Sequence, residues 1–439
     1  MTNSARADPD DDGRNERDGS TRRRMLQASA GTATVALAGC LDTVDVFGGT
    51  PEADETVTVG VLAPNPEKDV SGRAIERSAR VAVELLNEND GIDGTDVELV
   101  VGNTAGDPLE ARREYHRLVL DEEVDVTVGI STSEVLEHLI DDIAEQETVH
   151  ITAGAATTAP TDLVRDEYED YKYHFRAGPI NEYDLGQAQI DFLNDMAPDM
   201  GWESIALLAE DYSWSQGAWD TFQTRRDELP VEIVMDRRYA PAIDDFTDLY
   251  DEVEAAGADA VFISTAHTGN AAVLDWQADE RPFEFGGIHV PMQYPNYYDA
   301  LGGACEFGIG QSSAPMGAEL TEETPRFESA YEERYGVSMP VYTGYFAYDA
   351  VSLFAEAVEQ AGSLESGEIV EALEEIEGFD GSAGTIEFYG RDHEYPHDLV
   401  YETGETLYFQ WQEQNGEGTQ EVIWPEEHAT SDYVEPDWF

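Results

Sequence analysis

Val57-Thr58-Val59-Gly60-Val61-Leu62 is an uncharged run rich in β-branched residues, and its surroundings decide the fold. A run of this length reads as a strand buried on both faces. Gly72–Asn89 follows with Ile75, Ala79, Ala82, Val83 and Leu86 at helical spacing, a stripe that must be covered. The turn Gly91-Ile92-Asp93-Gly94 leads into a second apolar run, Val97–Val101. Strand, long helix and strand in that order make a parallel βαβ unit.

The alternation continues through a helix at Pro108–Leu120, a strand at Val124–Ile130, a helix at Glu134–Gln146 and a strand at Val149–Thr152. It then starts again. Strands at Tyr173–Arg176, Ser204–Ala209, Glu232–Tyr239, Asp259–Thr265 and Phe285–Val290 are separated by helices at Glu182–Met196, Gln216–Glu228, Asp245–Ala256 and Gly269–Asp279. Two serial units of about 120 residues predict two α/β lobes with a cleft between them. The remainder must return to complete both. It holds helices at Gly344–Gln360 and Gly367–Ile376 and short strands near Thr385–Phe388, Leu399–Tyr401 and Leu407–Gln412.

The 439 residues include 94 Asp+Glu against 24 Lys+Arg, a formal charge of −70, and Lys68 and Lys172 are the only lysines. Such a chain lacks the basic face that neutralises nucleic-acid phosphates or holds anionic lipid. It is not a disordered acidic chain either, because 41% of residues are hydrophobic and 10% aromatic. Carboxylates at this density repel one another in dilute buffer and are screened by salt. The composition reads as adaptation to high salt, of the kind a halophilic archaeon needs.

Residues 1–39 read as an address rather than as fold. Arg22 and Arg23 form a twin arginine, and Met25 to Gly39 is a mildly apolar stretch too short to span a bilayer. Leu37-Ala38-Gly39-Cys40 resembles a lipobox. Together they predict a Tat-type lipoprotein signal, lipidation at Cys40, and residues 40–55 as an acidic tether. The folded part is then expected on the extracellular face of the cell membrane. Cys305 is the only other cysteine, so a modified Cys40 leaves no intrachain disulfide.

Several short segments carry a family likeness: Val59-Gly60-Val61-Leu62-Ala63-Pro64, Ala82–Asn87 with its Gly91–Gly94 turn, and Asn103-Thr104-Ala105-Gly106-Asp107-Pro108. Val128–Ser133, Thr157-Thr158-Ala159-Pro160 and Tyr348-Asp349-Ala350 continue it in order. Over roughly 56–425 the chain resembles the solute-binding proteins of ABC importers, in the leucine/isoleucine/valine-binding branch. The resemblance implies a type I periplasmic binding protein fold, two Rossmann-like lobes with parallel sheets joined by a hinge. Lobe 1 is expected from 56–178 plus about 306–388, and lobe 2 from 179–305 plus about 389–430. It implies a monomer that captures a small polar solute (an amino acid, an amide or a carboxylate) by hinge closure. Delivery is to a permease and its ATPase, with no bond made or broken and no cofactor. A sensor partnering a membrane transducer would share every one of these features; a secreted hydrolase is the more distant rival.

Ser131 and Ser133 follow a strand end and open a helix, where N–H groups and hydroxyls suit a carboxylate; helix capping is the plainer role. Thr157 and Thr158 occupy the next cleft loop, to which the resemblance assigns a carbonyl and a hydroxyl. Trp214 falls on an aromatic position of the resemblance, its ring closing over a ligand and its indole N–H acting as a polar handle; a core or surface Trp is the alternative. His267 and Thr268 follow the Val261–Ser264 strand. His289 stands near where amino-acid binders of that branch carry an acid, so either another acid meets the ligand's ammonium or the ligand is not an α-amino acid. Tyr342 and Tyr345 head the last long helix, as cleft aromatics or as packing. No catalytic motif and no phosphate loop is present, and Pro396 between His393 and His397 argues against a helical metal pair.

Overall fold

The computed structural model describes residues 56–439, so Arg22, Arg23, Cys40 and the tether lie outside the described residues. The first half alternates as expected: β1 (Val57–Ala63), α1 (Val70–Glu88), β2 (Val97–Asn103), α2 (Pro108–His116), β3 (Val126–Gly129), α3 (Ser133–Gln146) and β4 (His150–Ala153). Two short helices, α4 (Ala159–Asp166) and α5 (Tyr168–Tyr171), precede β5 (His174–Gly178). These strands form one parallel sheet in the order β2-β1-β3-β4-β5.

The second lobe runs α6 (Glu182–Met200), β6 (Ser204–Glu210), α7 (Gln216–Thr224), β7 (Glu232–Tyr239), α8 (Thr247–Ala256), β8 (Ala260–Thr265), α9 (Ala271–Ala278) and β9 (Glu284–His289). Its parallel sheet has the order β7-β6-β8-β9. Period-two alternation splits its core cleanly, as pleating demands. Ala206, Leu208, Val261 and Ile263 join one buried cluster, while Ile205, Leu207, Ala260 and Phe262 join another. A single-turn α10 (Tyr297–Ala300) and β10 (Ile309–Ser312) complete this passage.

The chain then returns through α11 (Glu323–Tyr335), α12 (Tyr342–Ala361), α13 (Ser366–Glu374), β11 (Phe379–Gly381) and β12 (Gly384–Ile386), and ends with β13 (Leu407–Gln414) and β14 (Glu417–Trp424). Helix α12 packs on α1 and against β3, β4 and β5, and its buried Tyr345, Phe346, Leu353 and Phe354 join the first lobe's core. Strand β10 pairs antiparallel with β13, and Ile309 shares a cluster with Leu207 and Tyr408. Residues 309–312 therefore pack with lobe 2, beyond the expected boundary near 306. Conversely Leu399 packs with Ile386 and Phe388 in lobe 1, past the expected boundary near 388. Among the described residues no helix is long and apolar enough to cross a membrane.

Candidate functional site

In each sheet the chain reverses its direction of travel about one strand. Strand β1 lies between β2 and β3, and β6 lies between β7 and β8. Loops leaving such a pair diverge and open a crevice at the carboxyl ends, where α/β proteins bind ligands. Here the crevices of the two lobes face each other across one cavity of about 340 Å³. Its lining comes from both lobes: Ser131, Thr132 and Ser133 after β3, His267 after β8, and Gln293 and Tyr294 after β9. Four aromatic rings line it, Tyr212, Trp214, Tyr294 and Tyr342.

Lobe 1 supplies the amino end of a helix. Thr132 precedes α3 with extended backbone and makes no side-chain cap. The N–H groups of Val135 and Leu136 bond Thr132 O, so those of Ser133 and Glu134 are the ones left for a ligand. An uncapped helix start with adjacent hydroxyls favours a carboxylate through its dipole and its free donors. Ser133 is the first residue of α3 rather than its cap, and its hydroxyl accepts the Thr157 N–H at 3.3 Å. At the mouth, Asp69 caps α1 by accepting the Gly72 N–H at 2.9 Å. The loop after β4 is held from behind. Arg176, fully buried, pairs with Asp398 at 2.9 Å, donates to the Thr157 carbonyl at 2.6 Å and also to the Ala155 carbonyl.

Lobe 2 supplies a buried carboxylate. Glu210 ends β6 with a fully enclosed side chain and accepts four hydrogen bonds. They come from Trp214 Nε1 (2.5 Å), His267 Nδ1 (2.8 Å), the His267 N–H (2.9 Å) and Thr265 Oγ1 (3.0 Å). Burial alone would raise its pKa, but these donors overrule burial and hold it below the usual carboxylate range. The partner effect appears on His267, where burial acts downward, the bond to Glu210 acts upward, and the net shift is up. His267 keeps 41% of its side chain exposed, and Tyr212 lies against its ring with centroids 4.3 Å apart.

Carboxylates also join the two lobes. Glu134 of α3 accepts the Ser213 N–H at 3.3 Å, and Glu137 accepts the Ser213 hydroxyl together with Thr157 Oγ1 at 2.9 Å. Glu182, at the start of α6, accepts the Thr158 N–H at 3.0 Å and the Gly217 N–H at 2.7 Å. The lobes are thus in contact around the cavity, with the Ser213 segment drawn down onto α3.

Of the residues expected at the site, Ser131, Ser133, Trp214, His267 and Tyr342 line the cavity. The others stand behind its wall. Thr157 and Thr158 spend their hydroxyls on Glu137 and Glu182. Thr268 bonds Thr265 at 2.7 Å. His289 is fully buried between Phe285 and Tyr297, and burial lowers its pKa to about 4. Tyr345 lies one helical turn from Tyr342 and packs edge-on to Phe327 in the lobe 1 core. Trp214 presents its ring but not its N–H, because Glu210 takes the hydrogen. Sequence reasoning missed Glu210, Tyr212, Gln293, Tyr294 and Gln311. The signal for Glu210 was an acid closing an otherwise apolar strand, which needs partners when buried.

A family model described as Periplasmic binding protein matches residues 56–401. The Leu/Ile/Val-binding protein homolog 2 of Brucella abortus is 26% identical over 355 residues, covering 80% of this chain and 90% of that protein. Among solved structures, the branched-chain amino acid transporter substrate binding protein LivJ of Streptococcus pneumoniae, in complex with isoleucine, superposes with a TM-score of 0.69 at 20% identity. It covers 84% of this chain and 100% of its own. A solute binding protein of an ABC transporter from R. palustris, in complex with 4-hydroxybenzoate, gives 0.70 at 16% identity, covering 88% and 99%.

Proposed function

Because the chain belongs to the periplasmic binding protein family, we propose that it is the extracytoplasmic solute-binding protein of an ABC importer. It captures a small organic carboxylate between its lobes and presents the closed form to a permease. No chemistry is performed on the solute. The observation that carries this reading is the uncapped amino end of α3, flanked by Ser131 and Ser133, in the floor of an aromatic-walled interlobe cavity. The relatives support it on both counts, one bound to isoleucine and one to 4-hydroxybenzoate, each a carboxylate. Ser131, Ser133, Trp214 and His267 are the ligand contacts in this reading. Thr157, Thr158, Thr268, His289 and Tyr345 shape the wall.

A thermal-shift panel of amino acids, aliphatic acids and aromatic acids, run on residues 41–439 in molar KCl, tests it. A ligand at 100 times its Kd should add about 2.7 kcal/mol of stability. A panel in which no carboxylate shifts the transition would sink the proposal. We further propose that Arg22 and Arg23 direct Tat export and that Cys40 carries the lipid anchor. The double substitution R22K/R23K is expected to block export, and C40S to release the protein into the medium; retention of the latter in the membrane would count against lipidation.

A further inference from the structure

We propose that the cleft selects carboxylates that lack an α-ammonium group, with Glu210 and His267 setting that selection. This rests on the reading of the cavity as the solute site and names the class of solute. An ammonium carries a charge and three donors, and its burial needs acceptors with free lone pairs, above all a carboxylate. Most acceptors of the wall are already engaged, and the oxygens left without a protein partner on Glu134 (Oε2) and on the lining Gln293 (Oε1) are buried away from the open cavity. Arg176 holds the Ala155 and Thr157 carbonyls, and Tyr342 Oη lies 3.5 Å from the Gly154 carbonyl. The Thr157 and Thr158 hydroxyls point at Glu137 and Glu182. Glu210, the buried acid that holds the lining residues Trp214 and His267, is saturated by four protein donors. Asp69 is the one carboxylate among the lining residues, and it sits exposed at the mouth as the cap of α1.

What lobe 2 turns to the cavity is instead an imidazole edge that becomes a donor on protonation. With Nδ1 bonded to Glu210, His267 has its Nε2 edge left for the cleft, and a proton gained there makes a cation facing the solute. A carboxylate meets donors from α3 on one wall and an imidazole on the other. Once His267 is protonated, an ammonium meets an imidazolium whose counter-charge on Glu210 is already engaged. The four aromatic rings suit an apolar or planar body between these ends. The titratable groups around the His267 ring are Glu210 of β6, Tyr212 of the following loop and Glu134 of α3.

Calorimetry on residues 41–439 in molar KCl, with two pairs of solutes that differ by the ammonium, tests the inference: 4-methylpentanoate against leucine, and 3-phenylpropanoate against phenylalanine. The plain acid of at least one pair is expected to bind at least about 100-fold tighter than its amino acid. An amino acid that binds as tightly as its partner overturns the selection while leaving the solute-binding reading intact. If neither pair nor any other acid of the panel binds, the solute-binding reading fails and the selection with it. H267Q separates His267 from the rest of the wall, since glutamine can still bond Glu210. Its affinity for the acid is expected to fall about tenfold, and the parent's loss of affinity from pH 6 to 8 is expected to flatten. An unchanged pH profile and an unchanged acid-to-amino-acid ratio in H267Q overturn the role given to His267.

Discussion

At Gly72 the missing methyl lets α1 begin directly against the loop that leaves β1. A Cβ there would lie 1.8 Å from the Pro64 carbonyl oxygen, which is backbone and cannot swing aside. Gly72→Ala is therefore expected to destabilise by about 1–3 kcal/mol. It should also weaken ligand binding, because Pro64 and Ser71 both line the cavity; a variant with parental melting temperature and affinity would refute this. Residue scale is also where sequence reasoning was weakest. Ser131, Ser133 and His267 were legible because a loop just past a strand end points at the cleft. Thr157, Thr158 and His289 obey the same rule yet face inward, since which way a loop side chain turns depends on partners outside the loop itself. Glu137, Glu182 and Tyr297 are such partners, and no local pattern announces them.

Among the elements, α3 does two jobs at once. Its first turn faces the cavity, while Glu134 and Glu137 hold the Ser213 segment whose neighbour Trp214 forms the other wall. Removing the hydroxyl in Ser213→Ala should leave the fold intact and favour the open form. The expected readouts are a larger radius of gyration by solution scattering and a ligand affinity reduced about tenfold, the cost of roughly one charge-assisted bond; unchanged values of both would exclude a latch. Helix α12 offers a pH test. Asp349 is buried and accepts N–H groups of Ser382 (2.6 Å) and Ala383 (3.4 Å), yet burial outweighs them and lifts its pKa to about 7. A raised folded-state pKa means its stabilising contribution is complete below the unfolded value of 3.8 and is lost as pH rises towards 7. Asp349→Asn should gain on the parent between pH 4 and 8, by on the order of 3 kcal/mol, in paired denaturant melts; a difference that stays constant with pH would contradict it. Long strands and helices with full apolar stripes were readable from sequence. Helix α11 was not, because Phe327 and Tyr331 are its main apolar contacts among charged neighbours, and β10 was not, because only Ile309 in it is a large apolar residue.

Across the whole molecule, closing the lobes gathers Glu134, Glu137, Glu182 and Glu210 around one seam in a chain of formal charge −70. Like charges brought together are favoured by screening, so ligand affinity is expected to rise between about 0.1 M and molar KCl, where the Debye length shrinks from roughly 10 Å to 3 Å. Affinity that falls over that range would show that the solute's own attraction to the cleft dominates. The two-lobe architecture was legible throughout, because strand–helix alternation is local and appears twice. The places where the chain changes lobes were less so, since β10 and Leu399 find their partners across long stretches of sequence. That same layout governs how the protein is born. The stripe Ile75, Ala79 and Ala82 on α1 is covered by α12, which leaves the ribosome only after the parallel sheet of the second lobe. The first lobe to be translated thus waits for a helix made long after its own sheet, and until then it shows the cell an unclosed apolar face. A chain cut short between the lobes would leave that face uncovered, and a nascent chain of this kind is expected to need shelter until its final third has emerged.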